Sequence, residues 1–252
     1  TKNSSEETEE AARNISEFIG STIYKWDIDE EVNSYTQKIE KVIGRKLNWE
    51  LDDITLQNIQ ARTRSPIIWM LANHLHSILI TTSNRSEGDV GYATMDGDTS
   101  GSVAPIAGID KYFIIKWLKW AEKHLGYSAL NHVNNLEPTA ELRPREQDQS
   151  DERDLMPYKI MVEIEKLAVY RHLSPHTVYY QLKSKNLTDN QSLKRFIIKF
   201  YQLWARNQWK RERIAPAFHL DDFNVDPRTW CRFPILSGSY TKELEELNKI
   251  ED

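Results

Sequence analysis

Ser77-Ile78-Leu79-Ile80-Thr81-Thr82-Ser83-Asn84-Arg85-Ser86-Glu87 is the stretch that decides how this chain is read. Its first half, Ser77 to Thr82, is a short apolar run with the length of a buried parallel strand, and it ends in hydroxyls. From Ser83 to Ile109 the chain is rich in Gly, Ser, Asp and Thr, with four of the nine glycines between Gly88 and Gly101. That is too much loop for a structural connection, and long loops at strand C-termini in parallel sheets usually carry function. The loop holds a carboxylate, Glu87, then a glycine-flexed segment, then two more carboxylates two apart, Asp96 and Asp98. Hydroxyls and free amides at a strand end bind phosphate or ribose oxygens. Clustered carboxylates suit Mg²⁺ held between protein and phosphates. A plain Asp/Gly turn with a capping serine fits the same residues, and on them alone both readings stand.

Working outward, Leu56 to His74 reads as a helix, with Pro66 kinking it or lying in its first turn. Ser4 followed by Glu7 reads as a capping box opening a helix to about Gly20, with Ala11, Ile15, Phe18 and Ile19 as its buried face. Thr22 to Ile28 alternates like a short strand, and Glu30 to Val42 reads as a helix stopping near Gly44. Downstream, Asp110 caps a helix from Lys111 to His124. Glu141 to Asp154 is highly charged and nearly free of apolar residues, so mobility is expected there. Helices follow at Tyr158–Leu167, Pro175–Lys183 and Thr188–Asn207, the last leading into the cations Arg206, Lys210, Arg211 and Arg213. Ile214 to Ile235 has three prolines and little periodicity. Helices and strands at this spacing predict an α/β domain with a parallel sheet over residues 1–156. A helical part and extended tail occupy 157–252.

At 252 residues, with 39% apolar and 28% charged residues, the chain has the makings of a globular protein with a sizeable core. A net charge of −5 supplies no overall field to draw in nucleic acid or an anionic membrane, so neither is an expected partner. The longest apolar stretch, Pro66 to Ile80, is broken by Asn73, His74 and His76 and is too short and polar to span a bilayer. Cys231 is the only cysteine, which rules out an internal disulfide and fits a reducing, cytoplasmic setting. It carries no sign of activation. His74 and His76 cannot share a helix face, and Pro175 separates His172 from His176, so neither pair reads as a metal site. The N-terminus has neither a signal-peptide core nor an initiator methionine, and the chain is expected to begin inside a longer protein.

The block from Thr82 to Glu87, with Gly91 to Asp98, resembles the T-G-N-K-S-E and G-Y-x-T-x-Y-G-D signature of NAD synthetases. Ser83, Arg85 and Asp96 stand here for Gly, Lys and Tyr. Asn58-Ile59-Gln60-Ala61-Arg62-Thr63-Arg64 is similar to the family's N-x-Q-A-R-x-R helix. Pro138-Thr139-Ala140-Glu141-Leu142 resembles its P-[ST]-A-E-L segment, and Trp209-Lys210-Arg211 its Y-K-R or H-K-R motif. The resemblance implies a Rossmann-like parallel sheet of the ATP-pyrophosphatase type with a helical C-terminal extension. It implies a carbon–nitrogen ligase that adenylates deamido-NAD with ATP and Mg²⁺, then lets ammonia displace AMP to give NAD.

The resemblance also assigns roles. Asn58, Glu87, Tyr92, Asp98 and Lys210 would contact deamido-NAD, Arg62 and Thr82 would contact ATP, and Glu87 would bind metal. Lys210 and Asp98 would be the catalytic pair. From the residues alone, Glu87 also reads as a helix-N-terminal carboxylate, and a cation run such as that at Lys210 is more often a solvated helix end. The family's Ser-Gly-Gly-x-Asp-Ser pyrophosphate loop is not in these residues, so the chain alone is expected to be inactive. Long insertions such as 127–136 and 166–187 resemble the glutamine-dependent subclass. That resemblance implies a separate N-terminal glutaminase domain supplying ammonia from glutamine, and a homodimer or larger assembly. The rival readings are another ATP-pyrophosphatase ligase, such as a GMP or asparagine synthetase relative, and a non-catalytic nucleotide-binding fragment.

Overall fold

The computed structural model describes residues 1–147, 149–237 and 239–250. Asp148, inside the charged stretch, and Gly238, Glu251 and Asp252, in the tail, lie outside the described residues. The chain divides into two compact units. Unit 1 comprises Thr1–Leu79, Asp96–Asp98 and Phe113–Asp154; unit 2 comprises Ile80–Met95, Thr99–Tyr112 and Leu155–Asp252.

Unit 1 contains α1 (Glu6–Ile19), α2 (Asp29–Ile43), α3 (Asp53–His74), most of α5 (Lys111–Leu125), α6 (Leu130–Asn134) and α7 (Asp151–Asp154). Ser5 caps α1 by accepting from the Thr8 amide, one residue later than the expected Ser4 cap. Gly20 and Gly44 close α1 and α2 in the left-handed region, where glycine has no Cβ to clash. α1 packs on α6 and α2 on α3. Ala11 is buried on α1, but Phe18 and Ile19 are 46% and 65% exposed, against the expected buried face. Phe18 instead meets Tyr127 edge-on. On α5, Phe113, Trp117 and Trp120 share one face and are all exposed.

The charged stretch expected to be mobile is tied down. Arg143 clamps Asp53 at 3.0 Å and Asp154 at 2.9 Å, and Asn3 and Gln60 both donate to the Leu142 carbonyl. Carboxylates that flank a guanidinium order the backbone that carries them, so charge in such a stretch does not by itself imply looseness.

Unit 2 contains α4 (Arg85–Val90), the start of α5, α8 (Tyr158–Glu165) running into a π-helical turn (Lys166–Tyr170), α9 (Pro175–Lys183), α10 (Asn190–Arg206), α11 (Gln208–Arg211) and α12 (Thr241–Asn248). Asp189 caps α10 by accepting from the Ser192 amide. Leu193, Ile197, Phe200, Tyr201 and Trp204 then fall on one helical stripe and are buried against α8 and α9. Each such large side chain contributes about 1.5–3 kcal/mol of burial. Ser174 and Pro175 start α9 as cap and first helical residue.

The expected sheet is represented among the described residues by two isolated parallel bridges, Ile80 to Val103 and Ala104 to Ala217. Thr81 donates to the Val103 carbonyl at 3.0 Å and Ala104 to that of Pro216 at 2.8 Å. Residues 22–28, expected as a strand, form none, and 22–27 are exposed. A strand is not a local structure: without neighbours to take its amides and carbonyls, an alternating segment has no ladder to join. The single long loop expected over 83–109 is interrupted by α4.

Candidate functional site

α4 begins where the run of strand-end hydroxyls stops. Asn84 accepts from the Glu87 amide at 3.1 Å, and the Glu87 carboxylate accepts in return from the Asn84 backbone at 3.3 Å, a reciprocal capping box. Thr81, Ser83, Asn84, Arg85 and Ser86 are buried, whereas Thr82 is exposed. Glu87 keeps a side chain 21% exposed, 3.8 Å from the Lys111 ammonium. The Lys111 amide donates to the Ser86 hydroxyl at 3.1 Å, which joins the first turns of α4 and α5. Lys111 was absent from the sequence-derived site. Its signal was a cation at the first position of a helix, where the dipole disfavours positive charge.

The other end of α4 is closed by glycine and cations. Gly91 has φ +63°, and a Cβ there would stand 2.4 Å from that of Asn207. Asn207 donates to the Val90 carbonyl, and Arg211, 1% exposed, donates to that of Asp89 at 2.9 Å while lying 3.9 Å over the Trp204 ring. Lys210 donates to the carbonyls of Gly91 and Ala93, at 2.8 and 2.9 Å. Its ammonium thus holds the backbone on both sides of Tyr92, and two of its three donors serve that loop.

In unit 1, Asn58 and Arg62 are one turn apart on α3, with Ala61 between them. Gly97 lies so close to Ala61 that a Cβ would fall 2.8 Å from its carbonyl carbon and 2.9 Å from the oxygen. The Ser65 hydroxyl donates to the Asp96 carbonyl at 2.7 Å, and Asp96 turns the chain with φ +62°. These contacts seat the turn carrying Asp98 on the helix carrying Asn58 and Arg62. Asp98 and Arg62 are exposed and Asn58 half-buried. Asn58, Arg62 and Asp98 therefore fall in unit 1, and Thr82, Glu87, Tyr92 and Lys210 in unit 2.

Behind α4 lies a buried charge cluster that the sequence reading missed. Arg85 pairs with Glu165 at 2.5 Å and Asp110 at 3.2 Å, and donates to the carbonyls of Gly108 and Phe223 at 2.7 and 2.6 Å. Asp89 is fully buried and neither of its carboxylate oxygens has a hydrogen-bond partner. Burial, then the neighbouring Glu165 charge, raises Asp89 well above the usual carboxylate range, against Arg85 and Arg211. Burial likewise pushes Glu165 up to about 7, against the pull of Arg85 and with a further push from Asp110.

A carboxyl raised from 4.5 to about 7 holds its proton more tightly folded than unfolded. The stability it contributes is complete below pH 4.5 and is lost as pH rises through 7. The urea midpoint of the wild type should therefore fall between pH 5 and 8 by more than that of Glu165→Gln, by about 1.4 kcal/mol for every tenfold gain in proton affinity on folding. A wild-type midpoint that rises over this window relative to the variant would exclude the assignment.

Among the described residues no three His, Cys, Asp or Glu side chains converge on a point that could hold a metal ion. Both Glu87 carboxylate oxygens accept from Asn84, from its backbone amide and its side-chain amide, so a metal ion there would share them with the capping box. No helix among the described residues is long and apolar enough to cross a membrane.

A profile of the NAD synthase family matches residues 1–213, most of the chain and all the elements just described up to α11. The chain belongs to the NAD synthase family. A glutamine-dependent NAD(+) synthetase from Arabidopsis thaliana is 28% identical over 279 aligned residues, covering all of this chain and 38% of that protein. One from Aquifex aeolicus is 32% identical over 227 residues, covering 89% of this chain and 37% of its own length. The crystal structure of a glutamine-dependent NAD(+) synthetase from Cytophaga hutchinsonii superposes with a TM-score of 0.87 at 52% identity, over 99% of this chain and 40% of that one. An NMN synthetase from Francisella tularensis shares the fold at a TM-score of 0.60 and 18% identity, over 83% of this chain and 72% of that one. The chain thus spans about two-fifths of the length of the NAD synthetases it matches.

Proposed function

We propose that the protein to which these residues belong converts deamido-NAD to NAD, consuming ATP and releasing AMP and pyrophosphate. The carrying observation is the 52% identity, over 99% of this chain, to a glutamine-dependent NAD(+) synthetase of the same fold. The geometry supports the same reading. An exposed hydroxyl at Thr82, a partly exposed Glu87 beside Lys111, and a Tyr92 loop fixed by Lys210 form a polar rim on α4. Asn58, Arg62 and Asp98 form another on α3.

A carboxylate is a poor electrophile, and joining it to AMP as a mixed anhydride supplies a leaving group that ammonia can displace. In this reading Arg62 and Thr82 bind ATP oxygens, Asn58, Glu87 and Tyr92 orient deamido-NAD, and Asp98 takes its ribose hydroxyls. Lys210 orders the loop on which Tyr92 stands, besides any charge it lends to phosphate. Mg²⁺, held by Glu87, would offset charge developing on the α-phosphate.

The two parallel bridges and the NMN synthetase likeness support a Rossmann-like parallel sheet of the ATP-pyrophosphatase type. The relatives' names support glutamine as ammonia source, through a glutaminase domain in the remainder of the protein. The exposed α5 rings support a covering partner, which we take to be that domain or a second copy. We place the protein in the cytoplasm, with no nucleic acid or membrane partner.

The test is to supply the full-length protein with ATP, Mg²⁺, glutamine or ammonium, and deamido-NAD, and to quantify AMP and NAD chromatographically. One AMP per NAD is expected. AMP formed with xanthosine monophosphate and not with deamido-NAD would move the chain to the GMP synthetase reading.

A further inference from the structure

Glu87 and Lys111 come from different helices, and something must hold them together. Arg85 is the residue built for it. Its side chain is 6% exposed, so it cannot reach a substrate, yet it ties three separate segments to the start of α4. It takes the Gly108 carbonyl and the Asp110 carboxylate from the turn before α5, Glu165 from the end of α8, and the Phe223 carbonyl from the tail. Asp110 is the neighbour of Lys111, and Ser86 the neighbour of Arg85; their contacts to Arg85 and to the Lys111 amide close a short ring of bonds. The far end of that ring is the 3.8 Å approach of Lys111 to Glu87.

We propose that Arg85 is the positioning residue that fixes Lys111 against Glu87, a role that rests on the function proposed above. The guanidinium fork reaches four acceptors at once. The lysine that the family motif carries at this place offers three donors on a single nitrogen and cannot span them. In this chain the pair is therefore set by a network that also draws in Phe223, beyond the residues matched by the family profile.

The test uses the full-length protein as wild type, Arg85→Lys, Lys111→Met and the double variant. AMP formation from ATP and deamido-NAD is measured, together with the rate at which Lys111 reacts with trinitrobenzenesulfonate in the absence of substrates. Arg85→Lys is expected to lower kcat/KM at least tenfold, to speed reagent attack at Lys111 severalfold, and to change activity less than twofold in the Lys111→Met background. Such coupling is the mark of residues acting as one unit. An Arg85→Lys effect undiminished by Lys111→Met, or an unchanged reagent rate at Lys111, overturns the proposal. Should Arg85→Lys not fold, Asp110→Asn cuts the same ring next to Lys111 and carries the same expectations. A wild type that forms no AMP defeats the proposed function, while the reagent arm still decides the positioning.

Discussion

Arg85→Met is expected to cost the fold about 3–5 kcal/mol, the range for removing one partner of a buried ion pair. Methionine matches the arginine stem in length and apolar character, so lost packing is small and the loss is electrostatic. What remains behind above pH 8 is Glu165, 2% exposed, which must hold a charge with no partner or take up a proton, beside an Asp89 carboxyl that already lacks hydrogen bonds. The carbonyls of Gly108 and Phe223 lose their donor as well. The measurement is the urea midpoint at constant m-value, above pH 8, where Glu165 is ionised beside Arg85 in the wild type. Adding Glu165→Gln to the methionine variant should recover part of the loss, because the stranded charge goes with it. A loss below about 1 kcal/mol, or no recovery, would mean that Arg85 and Glu165 are not the coupled pair the distances indicate.

Glu87→Gln is expected to lower NAD formation on the order of 10²–10³-fold, comparable to deleting one group that stabilises transition-state charge. Glutamine is the informative replacement. It serves at the third position of a capping box as well as glutamate does, so α4 keeps its start and stability should move by no more than about 0.5 kcal/mol. Glu87→Ala should lose activity and also about 1 kcal/mol of capping. Wild-type turnover in the glutamine variant would leave Glu87 with a structural role alone.

Where the sequence was readable, the cause was local. The Gly20 and Gly44 stops, the Pro175 start and the helix of α10 are written in residues a few positions apart, and the structure has them at those places to within two residues. The motif blocks were legible for the same reason, since each is contiguous. The partners of the two isolated bridges were not, because Ile80 and Val103, and Ala104 and Ala217, are far apart in sequence and their pairing is decided by the fold. Arg85 and Glu165 were passed over for a related reason. A buried arginine and a buried glutamate look like ordinary surface charges until the chain brings them to 2.5 Å. Lys210 was read through its charge, whereas its contacts are those of a clamp on Gly91 and Ala93.

The seating of Gly97 on Ala61 has a mechanical consequence. With backbone pressed on backbone and Ser65 bonded to the Asp96 carbonyl, there is no compressible layer between turn and helix. Any tilt or rotation of α3 must carry Asp98 along with Asn58 and Arg62, so these three groups travel as one stiff body. Their spacing is preserved through any displacement of that helix.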